Sequence, residues 1–515
     1  MPQRSPRSNR LLPALLGTLA LAAGGVTPAA AAHDRQDPQV LLVCNASTVS
    51  CPSSSTHPYG TIQAAVDDAR TGDWVLVWPG VYHEKATTEA GVLVTTPGIH
   101  IRGLDRNRVV VDGSNAGAAR PCPADPALQD TTGRSGIVVS RADGVSIENL
   151  TVCNYLSGSD GSGGNQIWWN GGDGSGQIGL HGYHGAYLTA TSGYGSADAS
   201  APMAQYGIFA SNATGPAEIA HTYASNMGDS DYYVGACRNI CGVTLSDAHG
   251  QNSAIGFSGT NSGGYTISDS EFDHNGTGIV ANSLNNDDAP PPQDGSCPGA
   301  PQRSCTFIER NVIHDNNNPN APVSGLAGAI GAGIEISGGH SDTLRDNRIT
   351  RQGSWGVVLH DFPDSETPPP LSHCQGGVQL PGVCVFLSYG NVVAANEFSN
   401  NGFFGNPTNG DLANESTTAP HNCFYGNRAT GGAALTSDPA SIQSRGVDGP
   451  PCGRGAGVGD DQLLAGELVC AARFGPCPIP DAAYPQRTGL DLAPLTAQVS
   501  MRRPCAGLPK NAFCQ

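Results

Sequence analysis

The chain has 515 residues, enough for one large solenoid or roughly two to three ordinary domains. Acidic residues number 44 against 26 basic ones, and the formal charge of −18 argues against nucleic acid and anionic membrane surfaces as partners. Lys85 and Lys510 are its lysines, so basic chemistry in the middle of the chain falls to Arg or His.

Residues 1–32 read as a secretory leader and not as part of the fold. Arg4, Arg7 and Arg10 precede the apolar run 11–23, and small residues close the segment at 29–32. The run is too short for a stable membrane anchor and no later stretch is apolar enough to span, so a soluble, secreted, extracellular protein is expected. Sixteen cysteines in an exported chain read as disulfides. Nearest neighbours would pair as Cys44–Cys51, Cys122–Cys153, Cys237–Cys241, Cys297–Cys305, Cys374–Cys384, Cys423–Cys452, Cys470–Cys477 and Cys505–Cys514, although spacing alone does not determine connectivity. The rival reading, zinc at Cys237-x-x-x-Cys241, lacks a matching second pair nearby.

Residues 60–84, GTIQAAVDDARTGDWVLVWPGVYHE, organise the rest of the chain. Ile62, Ala65, Val66 and Ala69 recur at helical spacing, opposite Asp67 and Asp68. After Thr71-Gly72-Asp73 the pattern becomes the strand Trp74–Trp78, closed by Pro79-Gly80. A short amphipathic helix laid on the first strand of a long sheet hides the end of a hydrophobic stack and blocks an open edge. This stretch resembles the N-terminal cap of the pectin-lyase-like parallel β-helix superfamily. The resemblance implies an all-β, right-handed parallel β-helix with an N-terminal helical cap, the solenoid running over residues 33–429.

The rest of the pattern agrees. After coils at 92–111 and 136–154, a loose repeat of about 23 residues sets in, within the solenoid range. Its rungs start at Asp231, Ala254, Gly278, Gly333 and Gly356. A polar–apolar pair precedes each rung, as in Ser270/Phe272, Asn311/Ile313 and Asn347/Ile349, with Asn396/Phe398 continuing; this spacing suits amide ladders along the axis. A β-propeller would need hairpin-linked blades, and hairpin turns do not separate these strands. Residues 157–205 read as an inserted flap carrying Trp168 and Trp169, either packed over coil side chains or offering aromatic faces to sugar rings. Three cysteine pairs follow the same strand of different coils, so long disulfide-closed loops should wall a groove on one edge. Residues 430–515, rich in Pro, Gly and Cys, read as an irregular C-terminal cover.

With the Ile-type positions facing inward, two columns face solvent. One runs Tyr233, Gly256, Val280, Glu335, Val358; the other Gly235, Ser258, Asn282, Ser337, His360, with Asp361 just beyond. Coils stacked about 4.8 Å apart bring neighbouring rungs around one sugar unit. Glu335 and Asp361 should sit about 9 Å apart, near the upper limit for an inverting pair of carboxylates, with His360 between them as a general acid or base. The plain alternative for each is a solvated side chain. Asp229 and Asp231, with Asp287 and Asp288, form an oxygen-rich set suited to Ca²⁺; the alternative is a turn that favours Asp and Asn. His249, His274, His314 and His340 fall at turns or on other faces and are expected to bond locally.

The superfamily resemblance implies lyase, hydrolase or epimerase activity on acidic polysaccharides. The motifs NTD, GHG, RIK and DPH of such enzymes are absent, and lysine as a groove base is excluded, leaving Arg238, Arg345 or a Tyr/His. The motifs WWNGGDGSG, YASNMGDSDYY, NNDDAPPPQ and FFGNPTNGDLA resemble those of secreted actinobacterial β-helix proteins, which implies no activity. The leading expectation is therefore a monomeric enzyme acting on an extracellular polysaccharide, with Glu335, His360 and Asp361 catalytic, and Tyr233, Asn282, Trp168 and Trp169 holding sugar. A non-catalytic glycan-binding module on the same fold is the second.

Overall fold

In the computed structural model, residues 37–514 are described apart from 47–48, 53–56, 287–290, 326–327, 446–460 and 474. The expected leader, Asp287, Asp288 and Cys452 lie outside the described residues. Two parallel sheets make the solenoid, one of 11 strands and one of 21. The larger sheet turns a corner because Ala213–Ser225 and Arg238–Gln251 each span two faces; the latter pairs with Ser262–Ser268 and then with Glu271–Asp273. Antiparallel pairs occur in the overhanging loops. The architecture is a right-handed parallel β-helix, not a propeller.

Alternation explains the winding. Ile137, Ile167, Ile208, Tyr232, Phe257, Ile279, Ile334, Val357 and Leu412 are buried inward on successive rungs of the 11-stranded sheet. The coils are further held by amides. Asn311 Nδ2 donates to Asn347 Oδ1 (3.0 Å), Asn347 Nδ2 to Asn396 Oδ1 (2.9 Å) and Asn396 Nδ2 to Asn427 Oδ1 (3.0 Å), all buried. Each accepting oxygen also takes the backbone N–H of the asparagine in the preceding coil, so the ladder pairs polar groups that could not otherwise be buried.

The cap helix is Ile62–Asp68, with Ile62, Ala65 and Val66 buried. Thr61 Oγ1 accepts from Ala64 N, and Glu84 accepts from Ile62 N and Gln63 N. Gln63 then seals an open strand edge: its amide donates to Leu93 O (3.1 Å) and accepts from Leu93 N (2.7 Å).

Three sequence expectations are corrected. Residues 157–205 are not an inserted flap but a full coil: Ile167–Asn170 pairs in parallel with Ser135–Ser140 and Tyr206–Ser211. The rung at Ile255–Thr260 is displaced by two residues, because Phe257, not Ile255, takes the inward site beside Tyr232 and Ile279. The C-terminal segment contains the helix Asp461–Ala472, whose Leu464, Leu468 and Ala471 pack on Trp355, Val358 and Ala413.

All seven nearest-neighbour disulfides whose two cysteines lie among the described residues are formed. Cys423 is also disulfide-bonded. Cys237 and Cys241 are joined to each other, which removes them as zinc ligands.

Candidate active site

On the outer face of the 11-stranded sheet, register places Tyr233, Ser258, Val280, Glu335 and Val358 in one column. Thr260, Asn282, Ser337 and His360 form the next. Strand Ala332–Ser337 therefore presents Glu335 and Ser337 outward, and Trp355–His360 delivers His360 beside them. The loops after these strands rise over the sheet and are tied together: Asn285 N donates to Asp364 Oδ2 (2.5 Å), and its amide to Glu366 O and Pro369 O.

Glu335 and His360 form a buried ion pair, not the solvated pair of side chains that an open sheet face would give. Glu335 Oε1 lies 3.0 Å from His360 Nε2, and the residues are 6% and 5% exposed. Ser337 Oγ sits 2.7 Å from the same nitrogen and donates to Glu335 Oε1. Ala329 N donates to Glu335 Oε2 (2.8 Å), while His360 Nδ1 lies 2.9 Å from Asp361 O. Gly328 is needed above this carboxylate, since a Cβ there would meet Val280 at 2.6 Å and Glu335 Oε2 at 3.0 Å.

Burial by itself would raise the Glu335 pKa; the hydrogen bond and charge of His360, with the Ala329 N–H and Ser337, outweigh it and hold the carboxyl below its ordinary value. Burial would likewise lower His360, but the bond to Glu335 and its charge, helped by Glu415, leave the imidazole raised. Both groups are therefore charged across the middle of the pH range.

Glu335 is shared by two clefts. One, of about 300 Å³, is lined by Tyr206, Asp229, Tyr233, Asn282, Glu335 and Glu366 among others. The other, of about 420 Å³, is lined by Glu335, His360, Asp361, Glu415 and the C-terminal helix. Tyr233, Asn282 and Glu335 thus meet in one cleft. Asp361 does not join the ion pair: Ser388 N donates to its Oδ1 (2.7 Å), and its own N–H donates to Glu415.

Trp168 lies outward and stacks on Phe209, with centroids 5.1 Å apart and planes at 3°. Phe209 meets Tyr206 at 4.5 Å and Tyr233 edge-on at 4.8 Å. These four half-buried rings make a ladder leading into the smaller cleft. Phe209 and Tyr206 escape the sequence pattern because Tyr206-Gly-Ile-Phe was not counted as a rung, although it carries the same apolar start. Trp169 is corrected: it is fully buried, packs on Tyr183 inside the coil and cannot touch a sugar.

The expected calcium set is corrected too. Asp229 lines the cleft and accepts from Tyr206 Oη (2.9 Å) and Ser230 Oγ (3.1 Å). Asp231 is fully buried inside the coil, where it accepts from Ser253 Oγ (2.6 Å). The two carboxylates point to different places, and burial pushes Asp229 up to about 6 and Asp231 well above the carboxylate range. Two carboxyls facing apart, one of them sealed inside the coil, do not fit a calcium ion. Arg345 lies on the other sheet and pairs with Glu309, so it is no groove base.

Fold and site define a parallel β-helix with a buried glutamate–histidine pair on its outer face. No family model and no curated protein matches the chain. Among solved structures it is similar to the A-module of a mannuronan C-5 epimerase of Azotobacter vinelandii. Identity there is 13%, over 73% of this chain and 87% of that one, with a TM-score of 0.39. An alginate lyase of Paenibacillus sp. is 12% identical over 78% and 98%, at 0.38. A mannuronic-acid-specific family 6 lyase from human gut microbiota is 14% identical over 70% and 76%, at 0.41. No reaction is carried over from any of them.

Proposed function

We propose that the protein is an extracellular polysaccharide-active enzyme in which Glu335 and His360 are the acid–base couple and Tyr206, Phe209, Tyr233 and Trp168 hold sugar rings. The observation that carries this reading is the buried ion pair, 3.0 Å between Oε1 and Nε2, opening onto an aromatic-lined cleft beneath linked overhangs. Glu335 is a carboxylate able to accept a proton, and His360 an imidazolium able to give one. That combination suits cleavage of a glycosidic bond or abstraction of the proton α to a uronate carboxylate. Tyr and Trp faces pack on the apolar faces of pyranose rings, and Asn282 adds a hydrogen-bonding edge. Seven disulfides support an oxidising, extracellular setting.

A reducing-end assay and ultraviolet detection of unsaturated products, run on uronans and neutral polysaccharides, test the proposal. Turnover that falls about a hundredfold or more in Glu335→Gln, with glycan binding kept, supports it. The full hydrogen bonding of the pair favours a second reading, a non-catalytic glycan-binding module. Binding without turnover in the parent protein would select that reading.

A further inference from the structure

A second cluster of chemical groups lies on the other sheet, well away from the groove strands. Strand Arg238–Gln251 ends beside Glu271–Asp273, which in turn pairs with Val312–His314. Phe272 and Ile313 point inward and are fully buried, so alternation turns His249, Glu271, Asp273 and His314 outward. The ligand atoms of His249, Glu271 and Asp273 all lie within 4.8 Å of one another. His249 Nε2 is 2.5 Å from Asp273 Oδ1, and His314 Nε2 is 2.9 Å from Glu271 Oε1. His274 Nδ1 bonds the other oxygen of Asp273. Asp315 holds His314 Nδ1 at 2.7 Å, which aims Nε2 at Glu271. The sequence suggested only local bonding for these histidines, because they lie on three different coils and meet only once the chain is wound.

We propose that His249, Glu271 and Asp273 form a binding site for a first-row divalent transition-metal ion, zinc by preference, with His274 and His314 positioning the two carboxylates. One imidazole and two carboxylates from adjacent rungs supply the mixed nitrogen and oxygen donors that zinc accepts, whereas calcium takes oxygen alone in larger number. Histidines bonded to the ligating carboxylates fix their orientation. Among the described residues no cysteine is free, so no thiolate competes for the ion. His249 and Glu271 also line the large cleft of about 1110 Å³ under residues 498–503, which leaves the ion's remaining positions open to solvent or to a ligand.

The test uses the whole exported protein, stripped with chelator and titrated with Zn²⁺ by calorimetry, with Co²⁺ absorption as a second readout. His249→Gln and Glu271→Gln change side chains that are 34% and 47% exposed, so folding should survive, and thermal melting checks it. One saturable equivalent of Zn²⁺, weakened about tenfold or more in both variants and unchanged in His181→Gln on another rung, supports the site. The absence of saturable Zn²⁺ uptake, uptake unchanged in both folded variants, or Ca²⁺ binding as tight as Zn²⁺ would overturn it. None of these outcomes depends on glycan turnover.

Discussion

Glu335 and His360 face each other from adjacent parallel strands, carboxylate to imidazole, with Ser337 between them and the Ala329 N–H behind. The pair is held in both directions, so its protonation governs stability as well as chemistry. Glu335 lies below its ordinary 4.5, so its contribution is complete above that value and is lost as pH falls through the lowered pKa. His360 lies above its ordinary 6.5, so its contribution is complete below that value and is lost as pH rises through the raised pKa. The contribution of this pair to the melting temperature, read as the difference between the parent and Glu335→Gln, should therefore be level at least between 4.5 and 6.5. Glu335→Gln should cost about 3–5 kcal/mol by leaving a buried imidazolium unpaired, and should remove the acid limb of the profile. An acid limb unchanged in the variant would show that other groups control it.

The aromatic ladder separates surface from core within one dipeptide. Phe209→Ala and Tyr233→Ala should each weaken glycan binding by about 1–2 kcal/mol, or about five- to thirtyfold, with little loss of melting temperature. Trp169→Ala should instead cost about 3–5 kcal/mol of stability, because its ring fills the coil interior. Calorimetric titration and thermal melting of the three variants distinguish the two roles.

Asn347 occupies the middle of its ladder, donating to Asn396 Oδ1 and Ile308 O while accepting from Asn311 N and Nδ2. Asn347→Leu strands several of these buried partners at once. A loss of about 2–4 kcal/mol is expected in denaturant unfolding, more than for an exposed asparagine such as Asn107.

Asp231 carries a buried oxygen, Oδ2, with no hydrogen-bond partner, and burial raises its pKa. The folded state thus holds a proton that the unfolded chain releases near 3.8, and stability is lost as pH rises from there toward the folded pKa. Asp231→Asn keeps a partner for Ser253 and does not titrate. Its melting temperature should exceed that of the parent by a margin that grows as pH rises above about 4. A constant margin would show that folded Asp231 ionises as readily as it does in the unfolded chain, so that burial does not hold its proton.

Much of the winding was legible because its signals are local. Inward apolar alternation, cap helix, paired cysteines and regularly spaced Asn311, Asn347 and Asn396 each report a requirement met within one coil or repeated in the next. Where the local signal was ambiguous, reading failed: Ile255 and Phe257 both suit an inward site, and a shift by two preserves the alternation while moving Ser258 to another column. Trp168 and Trp169 differ in fate only through that same parity, which cannot be set until neighbouring rungs are aligned.

The order of residues alone dictates a capped, disulfide-closed parallel solenoid, since burying alternate side chains and pairing amides on successive coils leaves few other solutions. It took the wound chain to bring Glu335 against His360 while Asp361 turns to the overhang, to part Asp229 from Asp231, and to converge His249, Glu271 and Asp273. Those outcomes depend on how rungs register and on what the loops and C-terminal helix cover, and burial there changes both the reach and the charge of each group.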